Sequence, residues 1–342
     1  MSLTSTNLIQ ERIEEVVLGE PTIHGQMAMF PLLSEEEGTA DYIILDEAIA
    51  NGYAHVTEID ESGNVPELKF RNSSDKRIFM MEGEELVGAK QNRTLNLSIL
   101  APAEKEITIP VTCVESGRWS YESEQFDTSD RVHYSRGRRK KMESVSENMV
   151  FHNRPEANQS EVWEEISSKE LRMESFSPTS SMGAIFEDNK GRISDYVKAF
   201  TPIENQAGIL VMVGDDIVGL DLFDNKETLK KLMPKLVRSF ALDAIELNTS
   251  KKYQPRTEDA EDLLKKTATA NKSMHPAIGD GKNLRLQSEE VIGGALSLDY
   301  QMIHLSVFRN DDLPGSRNYP HARGSRVRRA SYRRNHRRRE GL

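Results

Sequence analysis

The stretch Arg93-Thr-Leu-Asn-Leu-Ser-Ile-Leu-Ala101 alternates apolar and polar side chains. Leu95, Leu97 and Ile99 fall on one face of an extended chain, and Thr94, Asn96 and Ser98 on the other, which predicts a β-strand. Working outward, Glu106 to Val114 is again β-rich, with Pro110 marking an edge or a bulge. Upstream, the segments from Ile23 to Leu33, Asp41 to Leu45, Ala54 to Ile59, Glu67 to Phe70 and Lys76 to Met81 read as strands. Asp60-Glu-Ser-Gly-Asn64 has the composition of a hairpin turn. Ahead of them, residues 6–18 place Ile9, Ile13, Val16 and Val17 on one helical face, with Gly19 as the stop. Residues 20–119 are therefore expected to be mostly antiparallel β.

The second half changes period. Residues 160–173 and 193–200 carry helical patterns, and Lys226 to Leu247 is a long helix with Leu229, Leu232, Met233, Leu236 and Phe240 in register. Pro234 inside it predicts a kink. Asp259 to Ala270 is a weaker helix. Two hairpins are expected, Gly208 to Phe223 around Gly214-Asp-Asp216, and Val291 to Phe308. Between the halves, residues 120–146 hold Arg131, Arg136, Arg138, Arg139, Lys140 and Lys141, and read as a long basic loop. Strand runs followed by clustered helices indicate an α+β fold. The expected organisation is one domain over residues 6–308: β-rich 20–119, basic loop 120–146, α+β 147–308. A disordered Arg-rich tail, 309–342, follows.

Composition narrows the function. One cysteine, Cys113, in 342 residues excludes an intramolecular disulfide framework and fits a reducing, cytoplasmic setting. The longest apolar stretch, Gly208 to Gly214, is far short of the roughly 20 residues needed to cross a bilayer. The first residues show neither a basic region nor an apolar leader, so no membrane partner is expected. The net charge is −10, yet residues 313–342 hold ten Arg against one Glu. The body is thus more acidic than the whole, which disfavours nonspecific nucleic-acid contact. The tail could contact RNA or DNA by releasing counterions, or remain a solvated appendage.

The densest polar segment runs from Glu82-Gly-Glu-Glu-Leu86 through Gly88-Ala-Lys-Gln-Asn-Arg93 to Asn96. Ile109-Pro-Val111, Cys113-Val-Glu115 and Gly117-Arg-Trp119 follow. This pattern resembles the ADP-ribosylglycohydrolase- and rhodanese-phosphatase-superfamily-associated domain, an uncharacterised family, with weaker similarity from about residue 8 to Phe308. The resemblance implies an association with NAD- and ADP-ribose-related nucleotide metabolism.

The residues themselves suggest chemistry. Glu82, Glu84 and Glu85 offer carboxylates for acid/base work on a glycosidic bond or for a divalent cation, or they form an acidic exposed turn. Period two would put Glu82 and Glu84 on one face and Glu85 on the other. Lys90, Arg93 and Arg118 suit phosphates, and Gln91, Asn92 and Asn96 suit ribose hydroxyls or a base edge. Cys113 is a candidate nucleophile or a small buried hydrophobe, with Glu115 on its face. Trp119 could stack on an adenine ring beside Arg118, or be a structural aromatic. Arg138 and Lys141 would act from a lid over an anionic ligand, or from a solvated charge run. His24, His55, His133, His152, His275 and His304 lack zinc-site spacing, and no phosphate-loop or dinucleotide motif occurs. Three readings follow. The first is an enzyme, such as a hydrolase, or a ligand-gated domain acting on an NAD-derived or ADP-ribose-containing nucleotide, with Glu84 or Glu85 as acid/base. The second is a noncatalytic interaction module, and the third a nucleic-acid partner working through residues 313–342.

Overall fold

A computed structural model describes residues 8–310, except 61, 62, 64, 248, 250 and 252. The chain begins with α1 (Leu8–Glu15), β1 (Val17–Leu18), β2 (Thr22–His24), β3 (Met27–Leu33), β4 (Tyr42–Ile44) and α2 (Leu45–Ala50). Then come β5 (Ala54–Thr57), β6 (Glu67–Asn72), β7 (Arg77–Met80), β8 (Glu84–Gly88), β9 (Arg93–Leu95), β10 (Ile99–Ala101), β11 (Glu106–Cys113) and β12 (Phe126–Val132). Four helices follow: α3 (Ser135–His152), α4 (Gln159–Arg172), α5 (Met182–Asp188) and α6 (Lys190–Ala199). The hairpin β13 (Gln206–Val213) and β14 (Asp216–Phe223) leads to α7 (Lys226–Glu246) and α8 (Thr257–Thr269). The described chain closes with β15 (Asn271–Pro276), β16 (Lys282–Gln287), β17 (Val291–Leu298) and β18 (Gln301–Arg309).

The fold is α+β. The β-rich part closes a barrel in the order β11-β6-β5-β12-β8-β9, beside a three-stranded sheet β10-β7-β4. A nine-stranded sheet, β1-β3-β13-β14-β18-β17-β16-β15 with β2 also on β3, joins the N-terminal strands to the C-terminal half. Strand β13 shows why this sheet sits in the middle. All eight of its residues are buried, and period two divides them between two cores. Ile209, Val211 and Val213 face α5, α6 and α7, while Leu210 and Met212 face α1 and α8; Ala207 joins the latter core because the register shifts between Gln206 and Gly208. Covered on both faces, the strand reads as an unbroken apolar run. The barrel has its own core of Val56, Leu68, Phe70, Leu86, Leu95, Ile109, Val111 and Phe126.

The two C-terminal hairpins, α1, α4, α6, α7 and α8 stand where periodicity put them. Pro234 lies inside α7, whose N-cap Asn225 accepts the Glu227 and Thr228 amides. Four expectations need correction. Residues 23–33 form two strands, because Gly25 turns the chain at φ +56. Residues 93–101 are two strands in different sheets, joined through Asn96, Leu97 and Ser98, and all nine residues are buried. Their polar alternation marks internal hydrogen bonds, not a solvent face. The basic segment 120–146 is not one long loop; it holds β12 and most of α3. Two of its basic residues, Arg138 and Lys141, lie on the buried face of α3 with Ser135, Met142, Val145, Ser146 and Met149 at three- and four-residue spacing. Arg309, expected to open the tail, ends β18. Elements α2, α5, β15 and β16 gave no sequence signal. The expected turn at 60–64 and the tail 311–342 lie partly or wholly outside the described residues, and with the tail goes the nucleic-acid contact assigned to it. Among the described residues no helix is long and apolar enough to cross a membrane.

Candidate functional site

Strand pairing gathers most of the polar motif at one end of the barrel. Arg93 lies opposite Leu86 on one side and Cys113 on the other, and Leu95 opposite Val111. Leu86, Leu95 and Val111 fill the barrel core, so Arg93 and Cys113 share that interior face. Arg93 is wholly buried, and Nη1 donates to Gln91 O at 3.2 Å and to Gln91 Oε1 at 3.0 Å. Cys113 Sγ donates to the same Oε1 at 3.0 Å, and Gln91 Nε2 donates to Glu115 O at 2.9 Å. Burial pushes the Cys113 thiol pKa up, and Arg93 offsets part of that rise. The thiol stands as a hydrogen-bond donor to Gln91.

Arg93 has unspent valence. Its Nε and Nη2 are buried without a hydrogen-bond acceptor. The facing carboxylate is Glu58, whose side chain is 9% exposed and whose nearest oxygen is 3.9 Å from Nη2. Neither Glu58 oxygen receives a hydrogen bond. Trp119, 50% exposed, completes the mouth, with Lys90 Nζ 5.5 Å and Arg93 Cζ 5.8 Å from its ring centre.

Arg118 has a different place. It is buried and spends its donors on Glu115 Oε2 at 2.8 Å, Asn92 Oδ1 at 2.9 Å and Ala89 O at 3.0 Å. Glu115 Oε1 accepts from Thr179 Oγ1 at 2.8 Å, and Gly117 N donates to Thr179 O at 2.8 Å. A Cβ on Gly117 would stand 2.8 Å from Thr179 Cα, so that approach needs glycine. These contacts clamp the turn that carries Trp119. Asn96, by contrast, bridges Thr112 Oγ1 at 2.6 Å and Pro155 O at 3.0 Å, away from the mouth.

The three carboxylates of the motif diverge. Glu84 accepts from Lys235 Nζ at 2.8 Å and from the Met81 amide at 2.7 Å. Lys235 also reaches Asp46 at 2.6 Å; burial opposes its charge, but Glu84 and Asp46 raise its pKa and hold it protonated. Glu85 accepts from Arg131 Nε at 2.8 Å and Ser129 Oγ at 2.9 Å, behind a cleft of about 120 Å³ lined in part by Arg131, Glu187, Lys190 and Arg238. Glu82 turns to the centre of the molecule, 3.9 Å from Arg138 Nη2, with no hydrogen bond to either oxygen. Gly83, at φ +86, breaks the strand period that would have aligned Glu82 with Glu84. No two of the three oppose each other as an acid/base pair. Among the described residues no three His, Cys, Asp or Glu side chains converge for a metal.

Arg138 and Lys141 do not form a lid. Both are buried on α3, 0% and 1% exposed, because their positions face the sheet and the barrel. Arg138 grips Asp221 through two bonds of 2.6 and 3.0 Å and reaches Ser306 Oγ at 3.0 Å. Burial opposes the Asp221 charge, but Arg138 and the His304 bond bring its pKa down to about 2. Lys141 Nζ bonds Leu95 O at 2.5 Å and Thr94 Oγ1 at 3.2 Å, and burial lowers its pKa to about 8. Arg285, buried on β16, bonds Ser146 Oγ at 3.0 Å, and burial lowers its pKa to about 10. Sequence reasoning missed Glu58, Asp221 and Arg285 and gave Ser98 and His304 no role in a site. Glu58 ends a strand and could have been flagged; the others have no polar neighbours in sequence to mark them.

No curated protein and no solved structure matches the chain. A family model does: the ARG and Rhodanese-Phosphatase-superfamily-associated Protein domain, ARPP-1, aligns with residues 15–308. That span holds the barrel, the nine-stranded sheet up to the last residue but one of β18 and every candidate residue described above, so the chain belongs to the ARPP-1 domain family.

Proposed function

We propose that this chain binds a nucleotide of the ADP-ribose type at the barrel mouth. One observation carries the reading. A carboxylate and a guanidinium, Glu58 and Arg93, face each other at 3.9 Å with hydrogen-bonding atoms unspent, beside a half-exposed Trp119. Buried polar groups left unpaired are costly, and a polar ligand that satisfies them recovers that cost. The two groups divide the work of such a nucleotide. Glu58 presents two acceptor oxygens, which suits the vicinal hydroxyls of a ribose. The free Arg93 donors suit a diphosphate oxygen, with Lys90 adding charge 5.5 Å from the Trp119 ring centre. The Trp119 face suits a purine ring. The family's association with ADP-ribosylglycohydrolases points to the same ligand class.

In this reading Gln91, Cys113, Asn92, Glu115 and Arg118 set the mouth's shape, and Glu84 and Glu85 brace the barrel wall instead of exchanging protons. Thermal unfolding of the full chain tests it. ADP-ribose at about 100 times its dissociation constant should add about 2.7 kcal/mol of stability. Trp119→Ala and Glu58→Gln should each weaken that stabilisation at least tenfold. No shift with ADP-ribose, NAD or ATP overturns the proposal.

A further inference from the structure

A second constellation lies between the barrel and the nine-stranded sheet, apart from the mouth. Ser98 Oγ is 2.8 Å from His304 Nδ1, and His304 Nε2 is 3.3 Å from Asp221 Oδ1. The three residues come from the β9–β10 link, β18 and β14, far apart in sequence. The direction of the hydrogen bonds follows from the carboxylate. Asp221 is ion-paired in two places with Arg138, so it is ionised and can only accept. The proton on His304 therefore sits on Nε2. In the neutral imidazole Nδ1 is then the acceptor for the Ser98 hydroxyl proton. Hydroxyl to imidazole to carboxylate is the polarity that activates a serine nucleophile.

Three further features fit that role. All three residues are buried, with exposures of 0% at Asp221, 1% at His304 and 8% at Ser98, so the relay sits in a low-dielectric setting. The His304 ring stacks on Phe223 at 4.5 Å, which fixes its plane. The Glu82 amide donates to Ser98 Oγ at 3.0 Å, and the Glu82 carboxylate is 97% buried with neither oxygen hydrogen-bonded. That carboxylate, on the residue whose amide meets Ser98, lies 3.9 Å from Arg138 Nη2 and has open acceptor capacity.

We propose that Ser98, His304 and Asp221 form a nucleophilic relay that hydrolyses a small carboxylic ester of a hydroxyl-bearing alcohol, with Glu82 receiving the alcohol's free hydroxyl. Ser98 Oγ attacks the carbonyl carbon as its proton passes to His304 Nδ1. The ester C–O bond breaks, and the departing alkoxide oxygen takes that proton. Water then attacks the acyl group on Ser98 and gives its proton to His304. The Ser98–acyl bond breaks, the proton returns to Oγ, and the carboxylic acid is released. No reactant other than ester and water is consumed.

The test uses the full chain, a fluorophosphonate probe and p-nitrophenyl acetate, with intact-mass and peptide mass spectrometry. One adduct per chain on Ser98 is expected, together with ester hydrolysis that Ser98→Ala lowers at least a hundredfold. Should Ser98→Ala fold poorly, Ser98→Cys keeps a donor of similar size and should be acylated by the same ester at that position. The relay is overturned if native protein gives no Ser98 adduct under conditions that label a control serine hydrolase. It is equally overturned if Ser98→Ala hydrolyses the ester as fast as native protein. Loss of melting temperature in Ser98→Ala, without labelling of the native chain, assigns the three residues to structure alone.

Discussion

Replacing Arg138 by Met should expose how much of this fold depends on one ion pair. Arg138 and Asp221 are both 0% exposed and joined by bonds of 2.6 and 3.0 Å, tying α3 to β14 in the central sheet. Without Arg138, Asp221 keeps only His304 at 3.3 Å. Breaking one side of a buried pair costs about 3–5 kcal/mol, since the other charge is left in a poor solvent. For roughly 300 ordered residues the unfolding entropy near 60 °C is about 0.6 kcal/mol per kelvin, so Tm should fall by about 5–8 °C. Asp221→Asn should cost a similar amount. The double variant Arg138→Met/Asp221→Leu removes both charges, and should lose at least about 2 kcal/mol less than the two single losses combined. Lys230→Ala, at an exposed pair with Glu227, is the control and should leave Tm unchanged. Calorimetry of the four variants measures all of this. Additive losses in the double variant, or an Arg138→Met loss no larger than the control, would refute the reasoning.

Lys141 makes the prediction for alkaline pH. Its folded pKa of about 8 lies below the usual lysine value, so between about pH 8 and 10 the unfolded chain binds the extra proton and stability rises with pH. Denaturation midpoints of native protein should climb across that window relative to Lys141→Met; parallel curves would show that Lys141 does not titrate there. Gly137→Ala puts a Cβ 1.7 Å from His133 Cε1, on a buried ring that packs at a tilt of 59° on Tyr134 with centroids 4.5 Å apart. The clash should cost about 3 kcal/mol, read as a lower urea midpoint, and a native-like midpoint would mean that the His133 ring can move aside.

Where a segment reaches its core through apolar groups, the sequence announces it. Strands β13, β14, β17 and β18 and helix α7 show their spacing plainly, because Leu, Val, Ile and Phe occupy their buried positions. Helix α3 reaches the core with Arg138 and Lys141 beside Met142 and Val145, so its buried face reads as a solvated charge run. The same confusion hid the break in Arg93 to Ala101, where Asn96 and Ser98 are polar because they bond Thr112, Pro155, Glu82 and His304 inside the protein. The convergence of Gln91 with Cys113, and of Asn92 and Arg118 with Glu115, followed from the pairing of two segments that read as strands, β9 and β11. The divergence of Glu82, Glu84 and Glu85 did not, because one glycine turn undoes the strand period. Asp221 and Arg285 were beyond reach, as was a site role for Ser98 or His304, since their partners are brought by topology across long separations.

These misreadings share a cause. Arg93, Arg138, Lys141 and Lys169 are among the largest fully buried side chains, in a molecule where charge was expected at the surface. Each needs an acceptor from a different element: Arg93 from the Gln91 turn, Arg138 from β14, Lys141 from β9 and Lys169 from α7. Apolar cores tolerate sliding and repacking, but a buried cation off its acceptor costs several kcal/mol. The charges therefore select one docking of barrel on sheet over near alternatives. That selection also explains why polar atoms with unspent valence matter here. Among the described residues Glu58 and Glu82 are the buried carboxylates with neither oxygen hydrogen-bonded; the proposed ligand site lies on the first, and the second neighbours the proposed relay.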